Sequence, residues 1–142
     1  MAIIRLLLSL SVTFPLIITA VDAVGDDNYH TKCFDGNGGG AAAVRLMQSL
    51  SQDLVDKVPG KDPRLYCNVQ TTGSGLQMYG YAYCMTDSLS GNVDPATACT
   101  GCLTSARNLL IDGCQETGSG QVIGEHDHCY IWIGFGGCPD ND

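Results

Sequence analysis

The chain reads as an α+β domain: an antiparallel sheet with two helices packed on it. Three observations predict this. Apolar residues recur at helical spacing in one early and one late stretch, and alternate at strand spacing after each, so the order is helix, strands, helix, strands. Gly-rich turn signals separate the strand-like runs. Eight cysteines lie beyond an apolar leader in a chain of 142 residues, and an even count in a small exported chain reads as a disulfide framework.

The leader decides what the cysteines mean. Met1 to Arg5 is a short n-region with one positive charge, Leu6 to Ile18 is almost wholly apolar, and Val21-Asp22-Ala23 places small residues at a cut after Ala23. These are the three parts of a signal peptide, expected over residues 1–23. The rival reading is a membrane anchor, but the apolar run is short for a span and Pro15 interrupts it. No second apolar run follows, and the ending Pro139-Asp140-Asn141-Asp142 lacks the hydrophobic tail of a lipid-anchor signal. The expected product is a secreted, extracellular single domain over residues 24–142. A domain of that size buries a limited core, and each long-loop disulfide adds roughly 2–4 kcal/mol.

The elements follow in order. Asn37-Gly38-Gly39-Gly40 is a loop; no Lys-Ser/Thr follows at phosphate-loop spacing and no apolar strand precedes it. A helix begins near Ala41, with Val44, Met47, Leu50, Leu54 and Val58 as one apolar stripe, and Pro59-Gly60 ends it. Leu65 to Thr71 and Leu76 to Cys84 are strands joined across Gly73-Ser74-Gly75, which suggests a hairpin. Asp87 to Asn92 is a polar loop. Asp94-Pro95 opens the second helix, with Asp at the cap and Pro in the first turn, and Gly113 stops it. Gly118-Ser119-Gly120 is a turn, and Gln121–Ile123 and His128–Phe135 are the last strands. There is no internal repeat or second domain.

The formal net charge of −8 argues against a nucleic-acid backbone or an anionic membrane as the main partner. It suits a neutral sugar or a basic protein. Catalysis finds little support. No Ser-His-Asp motif is recognisable, Asp26-Asp27 sits at an expected free N-terminus, and Asp53 and Asp56 fall on the outer side of the first helix. The chain is read as a non-enzyme without a cofactor. It contains no Asn-x-Ser/Thr site, so N-glycosylation is not expected.

Two ligand-like clusters have ordinary rivals. Cys99-Thr100-Gly101-Cys102 has redox spacing, but redox chemistry wants the first cysteine at a helix N-terminus, and Cys99 lies several residues inside the helix. Three residues apart, the two cysteines share one helix face and each can bridge to a different strand. Glu125-His126-Asp127-His128-Cys129 is the one dense metal-ligand cluster; no second Cys-x-x-Cys accompanies it, and exposed strand-edge polarity is the simpler reading. Trp132 and the tyrosines offer rings for sugar stacking, with half-buried sheet residues as the alternative. No metal site is assigned.

One pattern resembles a known family. Tyr79-Gly80-Tyr81-Ala82-Tyr83-Cys84, then Cys99-x-x-Cys102-Leu103, Cys114, and Asp127-His128-Cys129-Tyr130-Ile131 resemble the ginkbilobin-type domain of plants, found in secreted antifungal lectins and in ectodomains of cysteine-rich receptor-like kinases and plasmodesmata-located proteins. The resemblance runs from Cys33 to Phe135. It departs in the first gap, which holds fourteen residues where the family has eight, so an insertion falls within residues 89–97. The resemblance implies two helices on a five-stranded antiparallel sheet, and bridges Cys33–Cys114, Cys84–Cys99 and Cys102–Cys129. That leaves Cys67 and Cys138 for a fourth. Spacing alone would allow 105 connectivities.

The resemblance also implies mannose binding through an Asn after the first cysteine, an Arg before the last family cysteine and a Glu five residues beyond it. This chain has Phe34, then Gln121 or Ile123, then Gly134 at those places. An Arg and a Glu give charge-assisted hydrogen bonds to sugar hydroxyls; Phe, Gln and Gly supply one amide between them. Asp35, Asn37 and Gln121 are alternative polar contacts. The expected function is a secreted plant defence protein, antifungal and mannose-binding by resemblance, with fungal wall carbohydrate as partner and its sugar contacts replaced. The alternative is a non-lectin extracellular module that binds another protein.

Overall fold

In the computed structural model, residues 29–35, 40–85, 94–124 and 128–139 are described. The signal peptide expected over residues 1–23 and most of the insertion expected within residues 89–97 lie outside them. Five strands and two helices follow in chain order: β1 His30–Cys33, α1 Gly40–Lys57, β2 Leu65–Thr71, β3 Gln77–Cys84, α2 Pro95–Gly113, β4 Gly120–Ile123 and β5 Cys129–Phe135. The strands form one antiparallel sheet in the order β1-β4-β5-β3-β2. This is the disulfide-stapled α+β fold that the sequence predicts.

Local chemistry sets the helix ends. The Asp94 side chain accepts from the Thr97 N–H at 3.3 Å and Pro95 follows at the first helical position, so one otherwise unpaired donor is satisfied. A 3₁₀ turn over Val58–Gly60 closes α1 through Pro59. The buried face of α1 is Ala43, Met47, Leu50, Ser51, Leu54 and Val55, wider than the predicted stripe, and Val44 lies at its margin.

Both helices cover one face of the sheet. Alternation on β3 sends Met78, Gly80 and Ala82 inward, and on β5 sends Cys129, Ile131 and Ile133 inward. Val122 joins them from β4, and Leu103, Ala106 and Leu110 pack on them from α2. Burying each large aliphatic side chain contributes about 1.5–3 kcal/mol. Gly80 lets α1 approach closely: a Cβ there would stand 2.8 Å from Ile133 Cδ1 and 3.0 Å from Leu54 Cδ1.

Four disulfides join Cys33 to Cys114, Cys67 to Cys138, Cys84 to Cys99, and Cys102 to Cys129, with Cα–Cα distances of 5.4, 6.0, 5.7 and 6.1 Å. Two of them fasten α2 to β3 and β5, and a third fastens its C-cap residue Cys114 to β1. The fourth ties edge strand β2 to the segment after β5.

β3 and β5 each start one residue later than the sequence reading has them, at Gln77 and Cys129. Gly120 belongs to β4 rather than to the preceding turn, because its backbone pairs with Cys33 and Ile133. β1 is a strand that the residues alone did not announce. His30-Thr31-Lys32-Cys33 is exposed throughout and has no apolar alternation; its pairing with β4 makes it a strand.

Candidate functional site

Among the described residues no helix covers the second face of the sheet. Register puts Tyr79, Tyr81 and Tyr83 of β3 opposite Gly134, Trp132 and Tyr130 of β5, all on this outer face. Gln121 and Ile123 of β4 stand beside Trp132 and Tyr130. Leu65, Cys67 and Val69 of β2 stand beside Tyr83, Tyr81 and Tyr79. The five rings of β3 and β5 are half-buried, and Leu65 and Val69 are exposed.

The rings form two trios, Phe34–Trp132–Tyr79 and Tyr81–Tyr83–Tyr130. Tyr79 lies 4.5 Å from Trp132 and Phe34 lies 5.2 Å from it on the other side, centroid to centroid. Tyr83 and Tyr130 stack at 5.4 Å, and Tyr81 meets both edge-on at 6.1 and 6.3 Å. Contacts of this kind contribute about 0.5–1.5 kcal/mol each beyond simple burial. A groove of about 330 Å³ lies among Tyr79, Tyr81, Tyr130, Trp132 and Pro139. A neighbouring groove of about 270 Å³, lined by Leu65, Cys67, Tyr81, Cys138 and Pro139 among others, shares Tyr81 and Pro139 with it.

The electrostatics of this face differ from those of the whole chain. Among the described residues no strand contains an Asp or Glu. Lys32 on edge strand β1 takes an outward position, opposite Gln121. Burial holds the Tyr79 and Tyr81 hydroxyls above the ordinary phenol range. Tyr130 is pushed up to about 12, first by burial and then by the charges that Tyr83, Tyr79 and Tyr81 would carry if ionised. Its hydroxyl donates to Gln121 Oε1 at 2.9 Å. The outward positions of β3 and β5 therefore carry rings and no Asp, Glu, Lys or Arg, with Lys32 at the β1 edge of the face.

The three positions that the resemblance marks as sugar contacts converge here. Phe34 packs on Trp132, Gln121 is the register partner of Trp132, and Gly134 lies beneath the indole. A Cβ at Gly134 would collide with Cη2 and Cζ3 of Trp132, so the ring occupies the space that a side chain at 134 would need. The Gln121 carbonyl is already engaged by Tyr130. Ile123, the other candidate, lies further along β4 beside Tyr130.

The remaining sequence candidates sort plainly. Cys99 and Cys102 are not bonded to each other; they bridge to Cys84 and Cys129, so the redox-pair arrangement is absent. His128 is half-buried just before β5, while Glu125, His126, Asp127 and Asn37 lie outside the described residues. Among the described residues no three His, Cys, Asp or Glu side chains gather as for a metal ion. No described helix is long and apolar enough to cross a membrane. Asp53 is not merely solvated: it pairs with Lys57 at 3.0 Å and accepts from Asn68 of β2 at 2.6 Å. Asp56 accepts from Gln52 at 2.9 Å, and Asp35 is exposed beside Phe34. The sequence reading weighed Trp132 and the tyrosines as stacking rings or half-buried sheet residues, without placing them on one face with Phe34 and Gln121. The signal was present in the period-two run Tyr79, Tyr81, Tyr83 and in a glycine two residues after Trp132.

Fold and face together define a small disulfide-stapled α+β domain with one helix-covered face and one open aromatic face. No protein-family model matches the chain, and no curated protein matches it. Among solved structures it is similar to the tandem DUF26 ectodomain of the Arabidopsis thaliana cysteine-rich receptor-like protein PDLP5, at 22% identity over 76% of this chain and with a TM-score of 0.41. It is also similar to the tandem DUF26 ectodomain of PDLP8 from the same plant, at 19% identity over 80% of this chain and with a TM-score of 0.45. The chain spans 44% and 48% of those two proteins' lengths, about half of each.

Proposed function

We propose that this chain is an extracellular interaction domain of the ginkbilobin type that binds another protein through its outer sheet face and does not bind mannose in the manner of the family it resembles. One observation carries the reading. The three positions of the implied sugar contacts hold Phe34, Gln121 and Gly134, and Trp132 fills the space over Gly134. Charged groups that grip sugar hydroxyls are thereby exchanged for a neutral aromatic surface, the composition favoured at protein contacts. Four disulfides and the leader motif support an oxidising, extracellular setting.

The plant-defence role implied by the resemblance is kept in this reading, with a secreted or wall-associated protein as the target in place of wall carbohydrate. Catalysis is not part of it: Asp53 is held by Lys57 and Asn68, and Asp94 caps a helix. The test is affinity capture from plant extracellular fluid, with excess mannose present, using the oxidised protein and a Tyr81→Ser variant. The reading expects a protein retained by the first and lost from the second. Capture abolished by mannose, or equal capture by both, would overturn it.

A further inference from the structure

We propose that the free edge of β2 is a self-association site, where two copies of this chain pair their β2 strands antiparallel about a two-fold axis at Asn68 and join their sheets into one. The proposal goes beyond the reading above, because it uses the edge of the sheet and leaves the aromatic face open. Three observations carry it.

The first is an edge without protection. β2 ends the strand order β1-β4-β5-β3-β2. The Cys84 N–H donates to the Arg64 carbonyl at 3.0 Å and the Thr72 N–H to the Leu76 carbonyl at 2.9 Å, and the register between them runs without a bulge. Tyr66, Asn68 and Gln70 therefore turn their backbone groups to β3, while Cys67, Val69 and Thr71 turn theirs to the free edge. Among the described residues no strand pairs with that edge. Natural sheets blunt their edges with charge, proline, bulges or shortness. The opposite edge, β1, is 4 residues long and carries His30 and Lys32. β2 is 7 residues long, Leu-Tyr-Cys-Asn-Val-Gln-Thr, with no charge and no proline.

The second is exposed apolar surface that a copy of the same strand covers. Among the described residues the exposed large hydrophobic side chains are Leu65, Val69 and Met85, and the first two belong to β2. Centred on Asn68, the antiparallel pair sets Cys67 opposite Val69 of the second copy, and these two exchange both of their hydrogen bonds. Thr71 donates to the Leu65 carbonyl of the second copy; the Leu65 N–H is already held by the Pro63 carbonyl at 2.8 Å. Leu65 and Val69 become diagonal neighbours across the pair, about 7–8 Å apart, and each shelters the other.

The third is charge. On the inner side Asn68 donates to Asp53, while Lys57 and Lys61 stand 5.5 and 5.0 Å from the centre of the Tyr66 ring. In this register Tyr66 is diagonal to Asn68 of the second copy. The lysines over Tyr66 therefore face the Asp53 side of the other copy, twice by symmetry. Lys61 and Arg64, at the entrance to β2, lie across from residues 72–75 of the second copy, a turn with no charged residue. Parallel pairing would instead set these cations side by side. The net charge of −8 on each copy opposes association at long range, so pairing tightens as salt screens it.

Sedimentation velocity on the oxidised protein, from micromolar to millimolar concentration at physiological salt, tests the proposal. A reversible dimer is expected. Val69→Pro removes one outward donor from each copy and leaves the β2–β3 bonds in place, so it should weaken the dimer about tenfold or more. If that variant has a lowered thermal midpoint, Val69→Lys carries the test: it sets two ammonium groups diagonally across the axis, and a loss of the same size is expected. Amide exchange locates the contact. The Cys67 and Val69 amides should be protected in concentrated protein and exchange in dilute protein, with Asn68 and Gln70 protected in both. A chain that stays monomeric throughout, a dimer indifferent to both variants, or a dimer whose Cys67 and Val69 amides exchange freely would overturn the proposal. Protection of those amides in dilute protein only after plant extracellular fluid is added would put a foreign strand on the edge and overturn it as well.

Discussion

Trp132 lies over Gly134, two residues further along the same strand, and its indole fills the volume where a side chain at 134 would begin. The glycine is thus the seat of the ring, and the ring is the centre of the outer face, between Tyr79 and Phe34. Gly134→Ala should force the indole off the strand. Near-ultraviolet circular dichroism and Trp132 emission should both change, and stability should fall by about 1–3 kcal/mol, the range for overpacking. An unchanged tryptophan environment would show that the ring does not rest there.

Tyr130 should make the domain sensitive to alkali. Its hydroxyl is raised to about 12 from an ordinary 10.0. Between those values the folded state holds a proton that the unfolded state has lost, so stability falls as pH rises. The contribution is fully present below about pH 10 and lost as pH passes about 12. Tyr130→Phe should flatten that decline. At neutral pH it should cost at most about 1 kcal/mol, since Gln121 loses its donor in a half-buried place. Denaturation midpoints measured at pH 7 and in the alkaline range check both statements.

The bridges should not be reduced together. Cys114, Cys99 and Cys129 are buried, and each shields its own disulfide. Neither Cys67 nor Cys138 is buried. A limiting thiol reductant followed by alkylation and peptide mapping should label Cys67 and Cys138 first. Replacing Cys33 and Cys114 together by serine should cost about 2–5 kcal/mol. Labelling of Cys102 or Cys129 ahead of Cys67 would contradict the described burial.

Leu103 of α2 and Leu50 of α1 are fully buried over the inner face of the sheet. Either one changed to alanine, with the four disulfides intact, should lose about 2–5 kcal/mol in urea denaturation. Leu65 and Val69 on the outer face are 37% and 38% exposed, and alanine there should cost much less.

Much of this fold is legible in the sequence, for particular reasons. Asp94-Pro95 announces α2 because a cap and a fixed φ act locally. Pro59-Gly60 stops α1 for the same kind of reason. Tyr79, Tyr81 and Tyr83 alternate with Gly80 and Ala82, which gives β3 and its two faces. β1 was hidden because His30 to Cys33 is exposed on all sides and gains its strand character only from β4. The site was half legible. The loss of the implied sugar contacts at Phe34 and Gly134 is a matter of residue identity. That Trp132 occupies the resulting space is a matter of strand register and ring orientation, which no spacing rule contains. The engagement of Gln121 by Tyr130 likewise depends on two strands meeting side by side.

The central claim is that the aromatic face has taken the place of a mannose site. Emission from Trp132 tests it directly, because the ring sits among Phe34, Gln121 and Gly134. Titration of the oxidised protein with mannose and with mannan, at millimolar sugar, should leave the spectrum unchanged. A saturable shift with mannose, abolished by Gly134→Ala, would contradict the account.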